Sequence, residues 1–132
     1  GTGILALGAA LLGAQSVLAV DSNPLAVRTA MANVRLNGLE ERVQVKEGRA
    51  EKWINHHADL VVANIQYDTI SELVQHEEFA NKKWFILSGL MRSQADGIRA
   101  ALSQHNAEII QEWNYEMIWH TFLGKVKGSH HE

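Results

Sequence analysis

The sequence predicts an α/β domain whose sheet is mostly parallel and ends in an antiparallel hairpin. Two short apolar runs, Val17–Asp21 and Asp59–Asn64, lead directly into a polar residue, which is typical of parallel strands buried on both faces. Segments with apolar residues at helical spacing separate such runs. From Ala107, two longer segments in which apolar and polar residues alternate follow one another. Strands that alternate with helices and finish in a hairpin indicate this fold class.

Composition limits the classes of function. The 132-residue length fits one domain with a real core, and 46% apolar residues is ordinary for a globular protein. The formal net charge of −3 offers no basic face, so we expect no strong nucleic-acid binding. The chain has no cysteine, which excludes disulfides and thiol catalysis. Its apolar runs are too short to span a membrane, and we expect a cytoplasmic protein without a membrane partner.

The first predicted elements are a turn, a helix and a buried strand. Gly1-Thr2-Gly3 is typical of a turn, and it opens the apolar run Ile4–Ala14. This run is apolar nearly all round, as a helix packed on a sheet would be, and Gly13 is placed to end it. The strand Val17–Asp21 follows.

A second helix begins at the only proline of the chain. Pro24 favours the first helical turn, and either Ser22 or Asn23 is a suitable N-cap. The helical apolar period continues to Asn37-Gly38, a pair that is typical of a helix end.

The remaining predicted elements continue the alternation. Apolar or alternating runs define the strands, and a helical apolar period defines the helices. In chain order they are a strand over Arg42–Lys46, a helical turn over Ala50–Ile54, a strand over Asp59–Asn64, a helix over Thr69–Phe79, a strand over Lys83–Gly89, a helix over Arg92–His105, and hairpin strands over Glu108–Tyr115 and Ile118–Val126. A tight turn near Glu116-Met117 joins the hairpin strands.

Asp21 is the first candidate for ligand binding. It follows a buried strand at the edge where open α/β sheets bind ligands, and it lies 18 residues after Gly3. That spacing is close to the ~20 residues between a glycine turn and the acid that accepts both ribose hydroxyls. The alternative is an acid that only caps the helix near Pro24. We favour ribose binding, with Gly1 and Gly3 allowing the backbone to approach the ligand.

A second candidate, the segment Asn64-Ile65-Gln66-Tyr67, lies at the same predicted edge. The Asn64 carbonyl and nearby backbone carbonyls have the chemistry to accept hydrogen bonds from an amine and orient its lone pair. Tyr67 is a candidate to pack over that substrate. An ordinary strand-to-helix turn capped by Asp68 or Thr69 explains the same residue types equally well.

Histidines and tryptophans give weaker signals. His56-His57 have no third ligand at a sensible spacing, so we interpret them as a solvated loop and expect no metal site. The tryptophans lie on separate elements, and we interpret them as packing residues rather than a stacking platform. They are Trp53, Trp84, Trp113 and Trp119.

Together, these motifs resemble the class I S-adenosylmethionine-dependent methyltransferases. The motifs that carry the resemblance are Gly1-Thr2-Gly3-Ile4-Leu5, Ala19-Val20-Asp21 with Pro24, Asn33 and Asn37, Asp59 to Ile65, and Ile86 to Leu90 with Gln94. More narrowly, Ala63-Asn64-Ile65 and Leu87-Ser88-Gly89 resemble the family that methylates protein eleven of the large ribosomal subunit. The likeness extends to about Lys125.

The resemblance implies a Rossmann-like catalytic domain over residues 1–127, with 128–132 as an appended tail. It implies S-adenosylmethionine as the cofactor, bound by Gly1, Gly3, Asp21, Ser22, Glu47, Arg49 and Asn64. Asn64 would mark the methyl-transfer edge, and Ile65, Gln66 and Tyr67 would contact the substrate. The family often has Gly-Asp-Ala where this chain has Gly48-Arg49-Ala50, so Glu47 or a backbone amide becomes the candidate for the adenine contact.

The implied activity is methylation of amino groups on a ribosomal protein. The alternatives are the same fold acting on another nitrogen, such as a base in RNA, and a non-catalytic nucleoside-binding fragment. A dinucleotide dehydrogenase is disfavoured because the terminal hairpin and the Asn64 motif would have no role there. Methyl transfer depends mainly on geometry, so no catalytic base is assigned.

The resemblance also implies that the family's first strand and its amino-terminal recognition domain lie outside this sequence. That strand is central in the family's strand order. Because neighbouring strands lie ~4.8 Å apart, its absence predicts a slot of ~10 Å between the flanking strands. Exposed edges at such a slot would favour self-association and weaken cofactor binding.

Overall fold

A computed structural model describes residues 13, 15–48, 58–116 and 119–127. Its strands are β1 (Val17–Asp21), β2 (Val43–Glu47), β3 (Leu60–Asn64), β4 (Trp84–Met91), β5 (Ala107–Tyr115) and β6 (Trp119–Val126). The helices within the described residues are α1 (Pro24–Leu36), α2 (Tyr67–Gln75), α3 (Arg92–Gln104) and a 3-10 helix over Glu77–Asn81.

These strands form a six-stranded sheet in the order β2-β1-β3-β4-β6-β5. The first four strands of that order are parallel, and β6 is antiparallel to both of its neighbours. The predicted α/β class and the terminal hairpin are confirmed. The carboxyl ends of β1 to β4 therefore meet at one edge of the sheet.

Both faces of the central strands β1 and β3 are buried, as their continuous apolar runs predict. Alternate strand residues belong to two separate cores, because successive side chains of a strand point to opposite faces. One core packs against α2 and α3 and includes Leu18, Val61 and Phe85. The other packs against α1 and includes Ala19, Val62 and Ile86.

Helix α1 begins and ends where the sequence predicts. Asn23 is its N-cap, since the Asn23 side chain accepts hydrogen bonds from the Leu25 and Ala26 N–H groups at 2.9 and 3.4 Å. Pro24 occupies the first helical position, where its missing N–H costs nothing. The helix ends at Asn37, and Gly38 follows with a φ of 65°.

Helix α2 departs from the prediction at both ends. It begins at Tyr67, and the N-cap position is Gln66, whose side chain makes no capping hydrogen bond. The prediction of Asp68 or Thr69 as cap is therefore wrong, since both lie inside the first turn. The helix also stops before Phe79, because the extended backbone of His76 separates it from the 3-10 helix.

The predicted slot in the sheet is wrong. β1 pairs directly with β3 along its full length, from Val17 opposite Leu60 to Asp21 opposite Asn64. The two strands have equal lengths of 5 residues and the same burial pattern, so their backbones match without a strand between them. This pairing satisfies buried backbone groups that a slot would leave unpaired. The predicted self-association through a slot loses its structural basis.

Among the described residues, the exposed aromatic side chains of Trp113, Tyr115 and Trp119 lie on the terminal hairpin. Among the described tryptophans, Trp84, Trp113 and Trp119 are 43%, 46% and 47% exposed, so each buries about half of its surface and none belongs to the two buried cores. Trp113 and Trp119 lie on the two hairpin strands.

In the part of the chain that the structure describes, no helix is long and apolar enough to cross a membrane.

Several predictions fall outside the described residues. They concern Gly1 and Gly3, nearly all of the helix over Ile4–Ala14, Arg49, the helical turn over Ala50–Ile54, Trp53, His56-His57, Met117 of the hairpin turn, and the tail 128–132.

Candidate functional site

Four polar residues line up across the carboxyl edge of the parallel strands. The register places Glu47 beside Asp21, Asp21 beside Asn64, and Asn64 beside Ser88. The residues two positions earlier on each strand lie in the core beneath α1, so the four polar residues continue that face of the sheet. Those earlier residues are Val45, Ala19, Val62 and Ile86. We call Glu47, Asp21, Asn64 and Ser88 the polar row.

Asp21 lies at the centre of this edge. One oxygen of its carboxylate, Oδ1, accepts a hydrogen bond from the Asn23 N–H at 2.8 Å. The other, Oδ2, accepts from Nδ2 of Asn64 at 3.3 Å. Asn23 caps α1, so Asp21 is not needed as the cap. Because a carboxylate oxygen has two lone pairs, each can accept from more than one donor at a time.

Asn64 bridges Asp21 on one side and β4 on the other. Its bond to Asp21 is longer than the usual 2.7–3.2 Å range of N–H···O bonds, so it is weak. Its Oδ1 faces Gly89, where an added Cβ would lie only 2.8 Å away. Gly89 has a φ of 84° and sits in an irregularity of β4 between Leu87 and Leu90. A side chain at position 89 would therefore collide with the Asn64 amide.

The Tyr67 side chain extends from the same edge to α3, where its hydroxyl lies beside Gly97. A Cβ added at Gly97 would lie 2.7 Å from the Tyr67 hydroxyl, so the hydroxyl occupies the space that a side chain would fill. The ring is half-buried and packs against the core beneath α2 and α3. Sequence reasoning missed Gly97. The available signal was a glycine inside a helical pattern, which costs about 1 kcal/mol relative to alanine and calls for a packing reason.

The other predicted site residues take different positions. Ser22 and Glu47 are exposed at the edge beside Asp21. Ile65 is 5% exposed and its side chain packs in the core, whereas Gln66 is exposed. Ser88 completes the polar row, although sequence reasoning gave it no individual role.

A separate charged cluster lies on the outer strands and α3. Arg99 contacts both Asp96 and Glu112, and Nδ1 of His120 lies 3.1 Å from Oε1 of Glu112. Burial raises the pKa of Glu112, but hydrogen bonds from Arg99 and His120 outweigh it and leave the pKa below its ordinary value. His120 is buried, and its Nε2 has no hydrogen-bond partner among the described residues.

Within the described ranges, no group of three or more His, Cys, Asp or Glu residues is placed to hold a metal ion.

The side chains of the polar row offer carboxylate oxygens as acceptors, one amide and one hydroxyl. Such groups suit a hydroxyl-rich or amine-bearing organic ligand.

Comparison with known proteins gives concordant matches. A family model described as ribosomal protein L11 methyltransferase (PrmA) matches residues 1–127. Ribosomal protein L11 methyltransferases from Alkaliphilus oremlandii and Heliobacterium modesticaldum are 37% and 39% identical to this chain over 131 and 111 residues. The alignments cover 98% and 83% of this chain but 42% and 35% of the relatives. The chain spans less than half the length of either relative.

Solved structures share the fold. The ribosomal protein L11 methylase of Lactobacillus delbrueckii subsp. bulgaricus matches with a TM-score of 0.70 and 28% identity, covering 96% of this chain and 66% of that chain. TrmK of M. capricolum, in complex with S-adenosyl-homocysteine, matches with a TM-score of 0.59 and 18% identity, covering 86% and 53%. The second likeness bears on the fold alone. The predicted Rossmann-like methyltransferase sheet is confirmed.

Proposed function

The chain belongs to the ribosomal protein L11 methyltransferase family, and we propose that its carboxyl edge binds S-adenosylmethionine and serves methyl transfer to an amino group of a ribosomal protein. The family is one of S-adenosylmethionine-dependent methyltransferases. The observation that supports the proposal most directly is the polar row, in which Asp21 and Asn64 come into register on adjacent strands.

The residues of the row fit the cofactor's nucleoside. Two vicinal ribose hydroxyls are two donors, and the Asp21 carboxylate offers two acceptor oxygens. The weak bond from Asn64 is readily exchanged for a ribose hydroxyl. Glu47, exposed on the neighbouring strand, is the candidate acceptor for the adenine side of the ligand. Gly1, Gly3, Ser22 and Arg49 complete the proposed cofactor set.

Asn64 is suited to hold the acceptor amine. S-adenosylmethionine bound at this edge would supply a methyl group on a sulfonium, which the amine lone pair would take up as the S–C bond breaks. The carbonyl Oδ1 of Asn64 accepts an N–H from the uncharged amine and thereby orients the lone pair. The amine proton is then lost to water. Gln66, exposed just beyond β3, and Tyr67 flank this position.

The neighbouring positions of Asp21 and Asn64 suit this division of roles. Ribose and sulfonium are adjacent parts of one molecule, so the groups that hold the ribose and the amine must also be adjacent. Adjacent strands lie ~4.8 Å apart, which is the right scale.

The experiment that tests the proposal measures binding and transfer separately. Calorimetry with S-adenosyl-homocysteine reports binding, and incorporation of labelled methyl groups into purified protein L11 reports transfer. Expected are saturable binding and methylation of L11 amino groups, with no methylation of ribosomal RNA. Methylation of the RNA alone would instead show that the substrate nitrogen belongs to RNA. Binding without any methyl transfer would show that the site only binds a nucleoside.

We propose that the protein acts in the cytoplasm, where ribosomal proteins are made.

A further inference from the structure

Two glycines of the β4–α3 unit face the same short segment of the chain. Gly89 lies against Oδ1 of Asn64, with 2.8 Å between that atom and an added Cβ. Gly97 lies against the hydroxyl of Tyr67, with 2.7 Å between that atom and an added Cβ. Asn64 and Tyr67 are the two ends of the segment that leads from β3 into α2. We call the two spaces the glycine notches.

Gly97 has no conformational reason to be glycine. It lies inside α3, and its φ is outside the positive range in which side chains are strained, unlike the φ of Gly89. Alanine would favour the helix there. The structural reason for glycine at this position is the space that the Tyr67 hydroxyl occupies.

We propose that Gly89 and Gly97 are positioning residues for methyl transfer, which hold the segment Asn64–Tyr67 against β4 and α3 so that the Asn64 amide faces the acceptor amine. The inference rests on the proposed function and adds two residues that touch neither substrate nor cofactor. Asn64 and Tyr67 act directly at the edge, and the glycines act through them.

The expected displacement follows from the distances. Alanine at Gly97 pushes the Tyr67 hydroxyl away by about 0.7 Å, from 2.7 Å to the 3.4 Å at which contact with a Cβ becomes ordinary. The hydroxyl is the far end of a side chain, so the ring yields while the backbone stays folded. Transfer geometry is sensitive to shifts on the order of 1 Å, which can cost up to ~100-fold in rate.

Removal of the hydroxyl restores the fit. In a Tyr67→Phe background the remaining ring atoms Cζ and Cε1 lie 3.7 and 3.8 Å from the new Cβ, which is normal contact. The variants Gly97→Ala, Tyr67→Phe and the double variant therefore form a cycle in which the second change rescues the first. Ser103→Ala is the matched control, because Ser103 is exposed on the same helix.

The first readout is kinetic. Gly97→Ala should lower kcat for L11 methylation by about tenfold or more, with the affinity for S-adenosyl-homocysteine changed by less than about twofold. The double variant should return to the kcat of Tyr67→Phe, and Ser103→Ala should match the parent. A Gly97→Ala variant with parental kcat and KM, or a double variant slower than Tyr67→Phe, would overturn the proposal.

The second readout is independent of activity. The chain has two tyrosines, Tyr67 and Tyr115, so incorporation of 3-fluorotyrosine gives two fluorine resonances, which Tyr67→Phe assigns. Gly97→Ala should shift the Tyr67 resonance and leave that of Tyr115 in place. If the parent chain transfers no methyl group, the proposed function fails and the role in methyl transfer fails with it, and the resonance then reports only whether Gly97 sets the position of Tyr67. An unmoved Tyr67 resonance would refute that contact, and with it the proposal, whether or not methyl transfer occurs.

Gly89 is tested through Asn64. Gly89→Ala introduces backbone strain in any background, but it meets Oδ1 only when Asn64 is present. The drop in Tm caused by Gly89→Ala should therefore be smaller in an Asn64→Ala background than in the parent. Equal drops in the two backgrounds would remove Gly89 from the proposal.

Discussion

Replacement of Asp21 tests whether this residue binds the ligand or only supports the fold. Asp21→Ala removes the carboxylate that accepts from Asn23 and Asn64 in the protein and, as proposed, from two ribose hydroxyls in the complex. Each hydrogen bond to a charged group contributes about 1.5–3 kcal/mol. One ribose bond replaces the weak bond from Asn64, so the net loss of binding free energy is about 1.5–3 kcal/mol rather than the sum of two full bonds. That loss corresponds to roughly 10- to 150-fold weaker binding.

Calorimetry with S-adenosyl-homocysteine measures the loss directly, and thermal melting of the same samples reports the fold. Asn23→Ala is the matched control, because it removes the α1 cap but leaves the backbone N–H that bonds Asp21. The control should lose about 1 kcal/mol of unfolding free energy and keep its affinity. Unchanged affinity in Asp21→Ala, at a Tm close to the parent, would refute the ribose assignment.

Three further expectations follow from the contacts. Asn64→Ala should lower kcat for L11 methylation far more than the affinity for S-adenosyl-homocysteine, and equal losses in both would favour a structural turn. Gly124→Ala should destabilise the fold by about 3 kcal/mol in chemical denaturation, because its Cβ would overlap Phe85 Cζ and the Glu108 carbonyl oxygen; a stable variant would contradict the packing of β6. The lowered pKa of Glu112 means that its contribution to stability is present above the ordinary pKa of 4.5 and is lost as the pH falls through the folded pKa. Glu112→Gln should therefore lessen the acid dependence of Tm, and an unchanged dependence would contradict this.

The parts of the fold that the sequence predicts are those set by local pattern. The apolar run of β1 predicts burial on both faces, and the pair Asn23-Pro24 predicts the start of α1, because caps and first-turn prolines act within a few residues. The direct pairing of β1 with β3 could not be predicted in this way, since it joins segments 43 residues apart. The start of α2 was misplaced because Gln66 makes no capping bond that the residue types would signal.

The candidate site likewise has features that local sequence patterns predict and features that they do not. Asp21 and Asn64 were predictable, because a polar residue after a buried strand marks the carboxyl edge of a parallel sheet. Their mutual hydrogen bond was not, since it depends on the strand order. Gly97 was missed because its partner, Tyr67, lies 30 residues earlier and no local pattern links them. The partial exposure of the hairpin tryptophans could not be predicted, because an alternating strand pattern does not show whether anything covers the outer face.

The strand order also bears on the sequence of folding events. β5 and β6 are consecutive in the chain, whereas α1 and β2 lie between β1 and β3 along the sequence. The entropic cost of loop closure grows with loop length, so we expect the hairpin to form early and the β1–β3 pairing to form late. The polar row is assembled by the late pairing. Substitutions in the row should therefore act mainly on the rate of unfolding, and substitutions in the hairpin on the rate of folding.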